Sequence, residues 1–235
     1  MIIGVTSGIR GGLGKSVISV SLNFLLNIEQ SSILLDIGGG SSKMILRKTP
    51  EPPTLSDWIK GEALENSVRT ILYETKKEKI PLYVLPETRE LSTKELALLQ
   101  KKIRIFEDYG LKYTILDFPA ISSENYRKLI RCLDLQLLVL VPETVPILDV
   151  LSTSVFDVPT IVVVNKFKKK IHRRGLEFIK QIFSNREIHV IPYDGALRAM
   201  SEYGISCIDY IGKDTESALF NLALSIMKRK ELVVI

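Results

Sequence analysis

The sequence predicts an α/β fold built on a doubly wound, mostly parallel sheet with helices on both faces. Short apolar runs typical of buried strands alternate with segments of helical spacing along the chain. Some runs, such as Leu135 to Val141, are apolar almost throughout, as expected for strands covered on both faces. The 235 residues, of which 46% are hydrophobic and 25% charged, suit one domain over residues 1–235 and disfavour disorder.

A glycine-rich segment, SGIRGGLGKS, follows the apolar run Met1 to Val5 and precedes a predicted helix. Glycines let backbone N–H groups approach phosphate oxygens, and a helix N-terminus adds donors and a partial positive charge. Lys15 can supply charge to the β- and γ-phosphates, and the Ser16 hydroxyl can ligate Mg²⁺. The strict pattern G-x-x-x-x-G-K-[ST] fails at Ile9, but a ligand-free turn accounts poorly for three closely spaced glycines followed by Lys-Ser.

The residues Val5 to Gly8 and Arg10 to Ser16 resemble the deviant Walker A motif of the MinD/ParA family of P-loop ATPases. That family carries a lysine before the glycine pair, which reaches the partner's phosphates across a nucleotide-sandwich dimer. Arg10 occupies this position, and arginine keeps the charge with a bulkier, planar group. The resemblance implies that ATP or ADP and Mg²⁺ bind here, on Gly11, Gly12, Leu13, Gly14, Lys15, Ser16 and Val17.

The second strand, Ser32 to Asp36, ends in an acid. The family has two acids here, D-x-D-x-G, and the second helps to position the attacking water and the metal. Alignment on Ile37-Gly38 puts Asp36 at the second acid, whereas alignment on the strand puts it at the first and Gly38 at the second. We expect Asp36 to orient water, and the alternative is that it only caps the strand before a flexible glycine loop.

A second chemical landmark is the run Tyr113 to Asp117, followed by Phe118-Pro119-Ala120. Apolar residues that end in an acid are typical of a Walker B strand, whose carboxylate supports Mg²⁺ beside the phosphate loop. The family form is D-x-P-A-G, and Ile121 replaces its glycine, which weakens the expected switch movement more than metal binding. An ordinary strand-terminal acid is the alternative.

The base-binding residues are predicted from two strand ends. Asn165 follows the strand Pro159 to Val164, and an amide offers both the donor and the acceptor that an adenine edge needs. Pro192 and Asp194 follow the strand Ile188 to Ile191 and resemble the I-P-x-D segment that flanks adenine in the family. His189 is expected to be structural, because its strand offers no acidic or thiol neighbour.

The other elements are expected in chain order. They are a helix to about Asn27, a break at Pro50–Pro53, a charged turn at 75–79, a strand at Leu82–Pro86, a helix at Ser92–Tyr109 capped by Ser92 and Glu95, helices at Ser123–Leu133 and Val145–Ser154, and a last helix from Glu216 to about Lys228. The segments Thr54–Gly61 and Glu62–Leu64 resemble the short helices that follow this loop in the family, and Trp58 is expected in the core or covering it.

The chain has a net charge of +5, and two basic segments could indicate what kind of partner it binds. The first runs from Lys166 to Arg174 with six positive residues and no acid, and it suits non-specific contact with DNA phosphates. A solvated helix start is the alternative. The second, Lys228 to Lys230, precedes four apolar residues, too few for an interfacial membrane helix, so membrane contact is the weaker prediction.

The two cysteines, Cys132 and Cys207, form no metal-binding pattern and are expected to be reduced, mostly buried thiols of a cytoplasmic protein. Neither a signal peptide nor a membrane span is recognisable. The sequence thus predicts a MinD/ParA-like ATPase that dimerises on ATP, hydrolyses it slowly without an activating partner protein, and serves DNA segregation or intracellular positioning. A regulator partnered by membrane or protein, or a nucleotide-binding adaptor with little hydrolysis, is the alternative.

Overall fold

A computed structural model describes residues 1–75, 78–120, 124–153 and 156–233. Within them one sheet of eight strands has the order β3-β4-β2-β5-β1-β6-β7-β8, and every pairing is parallel except that of β3 with β4. The strands are β1 Ile2–Thr6, β2 Ser32–Asp36, β3 Arg69–Glu74, β4 Lys79–Leu85, β5 Tyr113–Asp117, β6 Leu135–Leu140, β7 Thr160–Phe167 and β8 Glu187–Pro192.

Helices connect these strands and cover the sheet. They are α1 Lys15–Glu29, α2 Ser41–Leu46, α3 Leu55–Lys60, α4 Leu64–Ser67, α5 Thr93–Lys102, α6 Ile105–Asp108, α7 Glu124–Ile130, α8 Thr144–Thr153, α9 Lys169–Ile182, α10 Gly195–Tyr203 and α11 Lys213–Val233, with a 3₁₀ helix at Ile205–Tyr210. The α1 helix packs with α2, α10 and α11, while α5 packs with α3 and α7.

The predicted α/β architecture is confirmed, and its core lies where the apolar runs indicate. All residues of β1, β2, β5 and β6 are buried, as expected for central strands covered on both faces. Apolar side chains form two clusters, one that includes α1 and α11 and one that includes α3, α5 and α7. Trp58 belongs to the second cluster and packs against Phe106, so its prediction as a core residue is confirmed.

Most predicted elements lie within a few residues of their expected bounds, but two differences are informative. Strand β3 was not predicted, because Tyr73 is the one buried residue among its six and the strand includes the charged residues Arg69 and Glu74. The helix expected over Ser92–Tyr109 is divided into α5 and α6, although its capping box of Ser92 and Glu95 is confirmed. Residues 76–77 of the charged turn, Ser123 and Ser154 lie outside the described residues.

The expectation that His189 has no acidic neighbour in its strand is wrong. Strand β8 begins one residue earlier than predicted, at Glu187, and side chains two residues apart share a face of a strand. The His189 Nε2 atom lies 2.8 Å from Glu187 Oε1. Glu187 also accepts hydrogen bonds from Ser225 and Arg229 of α11, which keep its pKa at about 2 and tie that helix to the sheet.

The parallel strands bring the candidate residues to one edge. The phosphate-loop segment follows β1, Asp36 ends β2, Asp117 ends β5 and Asn165 lies near the end of β7. Because carboxyl ends of parallel strands share an edge, these residues meet in the crevice where open α/β sheets bind ligands. The register is specific, since Asp117 pairs with Val5 on one side and with Asp36 on the other.

We expect Gly175→Ala to destabilise the protein by about 1–3 kcal/mol. Alanine normally favours a helix interior by about 1 kcal/mol over glycine. A Cβ at Gly175, however, would lie 2.2 Å from the Pro142 carbonyl oxygen, so α9 would have to move. Gly195→Ala at the start of α10 is the control, because its Cβ would meet no atom within 4 Å. Urea unfolding of both variants measures the difference, and an alanine at 175 as stable as the parent would contradict this packing.

Candidate functional site

The loop between β1 and α1 has the backbone conformation of a phosphate cradle. Gly8, Gly12 and Gly14 adopt positive φ angles of 58°, 73° and 95°, which side-chain-bearing residues rarely adopt. Gly14 also allows close packing, because a Cβ there would lie 2.2 Å from Asn165 Nδ2. Successive turns of opposite hand direct N–H groups into one concavity, which suits an anion at the start of α1.

The Lys15 side chain folds back into this loop. Its Nζ donates to Ser7 Oγ at 2.8 Å and to the Arg10 carbonyl at 3.5 Å, and the residue is buried. Burial lowers the pKa of Lys15, while the nearby Asp117 carboxylate acts in the opposite direction. The ammonium group is therefore held beneath the glycine turn, where it can meet phosphate oxygens.

Asp117 lies beside the start of α1, as the predicted metal site requires. Its carboxylate accepts a hydrogen bond from Ser19 Oγ at 3.0 Å, and the Ser16 hydroxyl is near enough to lower the pKa of Asp117. Burial, together with the negative charge of neighbouring Asp36, raises the pKa of Asp117 to about 6. A desolvated carboxylate next to serine hydroxyls offers the hard oxygen ligands that Mg²⁺ prefers.

A further hydroxyl supports the fit of a cation at this place. Ser41, the first residue of α2, is fully buried, and its Oγ makes no well-formed hydrogen bond to the described residues. It lies close enough to Asp117 to lower the pKa of that carboxyl. The preceding Gly40 approaches Ser16, since a Cβ on it would lie 3.4 Å from Ser16 Oγ. Ser16, Ser41 and Asp117 thus form an oxygen-rich cluster beside the phosphate loop.

Asp36 has its oxygens engaged by its own turn. Its Oδ1 accepts from the Gly40 N–H at 3.0 Å, and its Oδ2 accepts from the N–H and hydroxyl of Ser42 at 2.8 and 2.6 Å. Burial raises the pKa of Asp36, and these hydrogen bonds oppose the rise. Through these hydrogen bonds Asp36 stabilises the glycine loop that follows it. Its predicted role in orienting water stays a prediction.

The predicted base-binding residues lie together. A pocket at the end of β7 and β8 is lined by Gly14, Val17, Asn165, Lys166, Pro192, Tyr193, Asp194, Leu197 and Arg198. Asn165 Nδ2 donates to the Leu13 carbonyl at 2.9 Å, which leaves one of its N–H groups for a ligand. Asp194 caps α10, accepting from the N–H groups of Ala196 and Leu197, and also accepts from Gly212 N–H.

Arg10 points to another helix of its own chain. Its guanidinium forms an ion pair of 3.0 Å with Asp149 of α8, and both side chains are partly exposed. This ion pair links the phosphate loop to α8.

The structure divides the basic run that was predicted to contact DNA. Lys166 Nζ donates to the Gly12 carbonyl, and Lys168 Nζ lies 4.2 Å from the centre of the Tyr193 ring. Both side chains therefore have contacts near the phosphate loop and the base pocket, and the predicted role of the whole run in binding DNA stays a prediction. The remaining members are exposed on the first turns of α9 and are Lys169, Lys170, Arg173 and Arg174.

Other predictions concern metals, thiols and membranes. Among the described residues, no group of three or more His, Cys, Asp or Glu side chains could hold a metal ion by itself. Cys132 and Cys207 are free, as expected, but half-buried instead of mostly buried. In the described part of the chain, no helix has the length and apolar character needed to cross a membrane. Ile121 lies outside the described residues.

Sequence reasoning missed several residues of the site. Ser19 was detectable, because it lies three residues after Ser16 and shares its helix face. Ser41 and Ser42 directly follow three glycines, and such a loop often ends at a polar helix start. Lys166 and Asp149 carry no local signal, since their partners lie more than a hundred residues away in the sequence.

Several solved structures share this fold over nearly the whole chain. The chain superposes on a MinC–MinD cell-division complex from Aquifex aeolicus with a TM-score of 0.76 at 21% identity, covering 97% of this chain and 95% of that chain. The septum site-determining protein MinD with Mg-ADP from Pyrococcus horikoshii superposes with a TM-score of 0.75 at 19% identity, covering 96% of this chain and 95% of that chain. A putative plasmid partition protein from Borrelia burgdorferi bound to AMPPNP superposes with a TM-score of 0.70 at 18% identity, covering 97% of this chain and 98% of that chain.

No family model and no curated protein matches the sequence. The structural likeness extends over nearly the whole chain and includes MinD, McdA and ParA family ATPases. The chain therefore has the P-loop fold of the MinD and ParA ATPases, as the deviant Walker A motif predicts.

We expect Asp117→Asn to stabilise the ligand-free protein more at pH 7.5 than at pH 4.5. The pKa of Asp117 is about 6 in the folded state, above the value near 3.9 of an unfolded aspartate. The folded state therefore binds more protons between these values, and Asp117 lowers stability as pH rises through this window. Two pKa units correspond to about 3 kcal/mol at most.

Urea unfolding of the parent and the variant at both pH values measures this difference, with exposed Asp108→Asn as the control. A gain in stability that is equal at the two pH values would show that burial does not raise the pKa of Asp117.

Proposed function

We propose that this chain is an ATP-hydrolysing switch of the MinD/ParA family that dimerises on ATP and serves DNA partitioning or intracellular positioning in the cytoplasm. The observation that carries the proposal is the convergence of Lys15, Ser16 and Asp117 at one sheet edge. Neighbours of the same fold bound to Mg-ADP and to AMPPNP support adenine nucleotides as the ligands.

The roles of the phosphate-site residues follow from their chemistry. N–H groups of Gly11 to Ser16 would bind phosphate oxygens, and the Lys15 ammonium would exchange its contact with Ser7 for the β- and γ-phosphates. Ser16 would ligate Mg²⁺, and Asp117 would support it through water; the bound ion neutralises phosphate charge. With a pKa of about 6, Asp117 is mostly ionised at neutral pH and suited to this role.

The base would lie between the ends of β7 and β8. Asn165 keeps one N–H and part of its carbonyl capacity for the adenine edge. Pro192 provides an apolar contact beside Val17. Asp194, whose side chain caps α10, would contribute by fixing the backbone after Pro192.

Arg10 is proposed to act across the dimer on the partner's nucleotide, for which its ion pair with Asp149 must open. We expect Arg10→Ala to abolish ATP-dependent dimerisation in size-exclusion chromatography with light scattering. Asp149→Asn leaves Arg10 in place and removes its partner, so it should dimerise at least as well as the parent. Unchanged ATP-dependent dimers of Arg10→Ala would remove this residue from the proposed interface.

A basic patch of Lys169, Lys170, Arg173 and Arg174 supports non-specific DNA as the partner surface. All four side chains are exposed at the start of α9, and Arg173 also pairs with Glu177 at 3.3 Å. An exposed ion pair of this kind contributes little stability, so the arginine can exchange it for a phosphate. Contacts of this type depend strongly on salt concentration.

We expect Mg²⁺-dependent ATP turnover that Lys15→Ala reduces to background and that duplex DNA raises at low salt. The combined change Lys169→Ala, Lys170→Ala and Arg174→Ala should remove the DNA response and retain basal turnover. Steady-state phosphate release at 50 and 200 mM salt measures both effects. Turnover that depends on Lys15 but does not change when DNA is added would contradict the proposal that DNA is the partner. An activating protein or a membrane would then be the alternatives.

The second candidate function is a nucleotide-binding adaptor with little hydrolysis. The observation that favours it is the carboxylate of Asp36, whose oxygens are already engaged by its own loop. ATP binding that depends on Lys15, without turnover above the Lys15→Ala background, would identify the adaptor.

A further inference from the structure

Two consecutive residues near the end of β7 bind two consecutive carbonyls of the phosphate loop. Asn165 Nδ2 donates to the Leu13 carbonyl at 2.9 Å, and Lys166 Nζ donates to the Gly12 carbonyl at 2.6 Å. The proposed function uses Asn165 as a base contact but gives Lys166 no role. Lys166 nevertheless makes the shorter of the two contacts, and its hydrogen bond is charge-assisted.

The backbone at Lys166 is shaped to make this contact. Its φ angle is 58°, a left-handed conformation that residues other than glycine rarely adopt. The pairing of β7 with β8 is irregular between Val164 and Phe167, and such bulges redirect side chains beside functional sites. Asn165 Oδ1 accepts the Lys166 N–H at 2.9 Å, which stabilises the turn. The chain thus leaves regular strand geometry where Lys166 turns to the loop.

The contact has a direct effect on the orientation of the loop. A peptide unit whose carbonyl is held on one side presents its N–H on the other. Lys166 and Asn165 hold the carbonyls of Gly12 and Leu13, so the N–H groups of Leu13 and Gly14 are fixed in direction. These N–H groups belong to the concavity that would bind phosphate oxygens.

We propose that Lys166 is a positioning residue for polyphosphate, acting through the Gly12 carbonyl and not through the base or through DNA. The inference rests on the proposed binding of nucleotide by this loop and deepens it. It assigns recognition of the triphosphate chain partly to a residue outside the Walker A motif. A ligand with the triphosphate and no base should therefore depend on Lys166 as much as ATP does.

The experiment measures Kd for ATP and for inorganic tripolyphosphate, both with Mg²⁺, by isothermal titration calorimetry on the full chain. We expect Lys166→Met to weaken both ligands roughly tenfold, the range of a lost hydrogen bond to a charged group. Lys166→Arg should restore most of the affinity, since it keeps a charged donor. Lys180→Met, which removes one exposed charge at the other end of α9, is the matched control and should bind both as the parent does.

Lys166→Gly separates loss of the hydrogen bond from misfolding, because glycine adopts the left-handed backbone at this position without strain and lacks the side-chain donor. We expect the same loss with this variant and thermal unfolding close to that of the parent. Parent-like Kd values for tripolyphosphate in the Met and Gly variants would overturn the inference while ATP binding still supports the proposed function. A loss confined to ATP would overturn it too and make Lys166 a base contact. A parent chain that binds neither ligand would overturn both proposals.

Discussion

The site depends on a cluster of charges that the sheet register buries together. Asp117 lies level with Val5 on one neighbouring strand and with Asp36 on the other, and Lys15 of the phosphate loop is near enough to Asp117 for their charges to interact. Charges are expensive to bury unless they are paired and hydrogen-bonded. Here serine hydroxyls, loop N–H groups and the lysine provide those partners. A slip of one residue in either strand would turn an acid to the opposite face and separate the cluster.

Much of this arrangement was predictable because its signals are local. The spacing of glycines before Lys15 and the acid at the end of an apolar run each specify a strand end and a loop within a few residues. Since parallel strands present their carboxyl ends at one edge, the meeting of the loop with Asp117 and Asn165 follows from the topology. The helix start at Ser92 was equally predictable from the sequence, because its capping partner Glu95 is three residues away.

The remaining features depend on contacts between distant parts of the chain. Lys166 belongs by sequence to a run of positive charges, and only the irregular end of β7 separates it from that run. The ion pair of Arg10 with Asp149 joins the phosphate loop to a helix that no motif connects with it. Strand β3 lacks apolar alternation strong enough to identify it, and its pairing with β4 stabilises it. In these cases tertiary structure overrides local preference.

The position of β1 in the sheet also determines when this strand can first pair during synthesis. Its pairing partners are β5 and β6, so during synthesis β1 has no neighbouring strand until residues 113–117 have followed it. At roughly 5–20 residues per second, that interval is on the order of 5 to 20 s. During it, an apolar strand and the glycine loop behind it are exposed to solvent and to chaperones. Such long-range pairing is intrinsically slow, and the nucleotide cradle is therefore completed only after residues 113–117 have been synthesised.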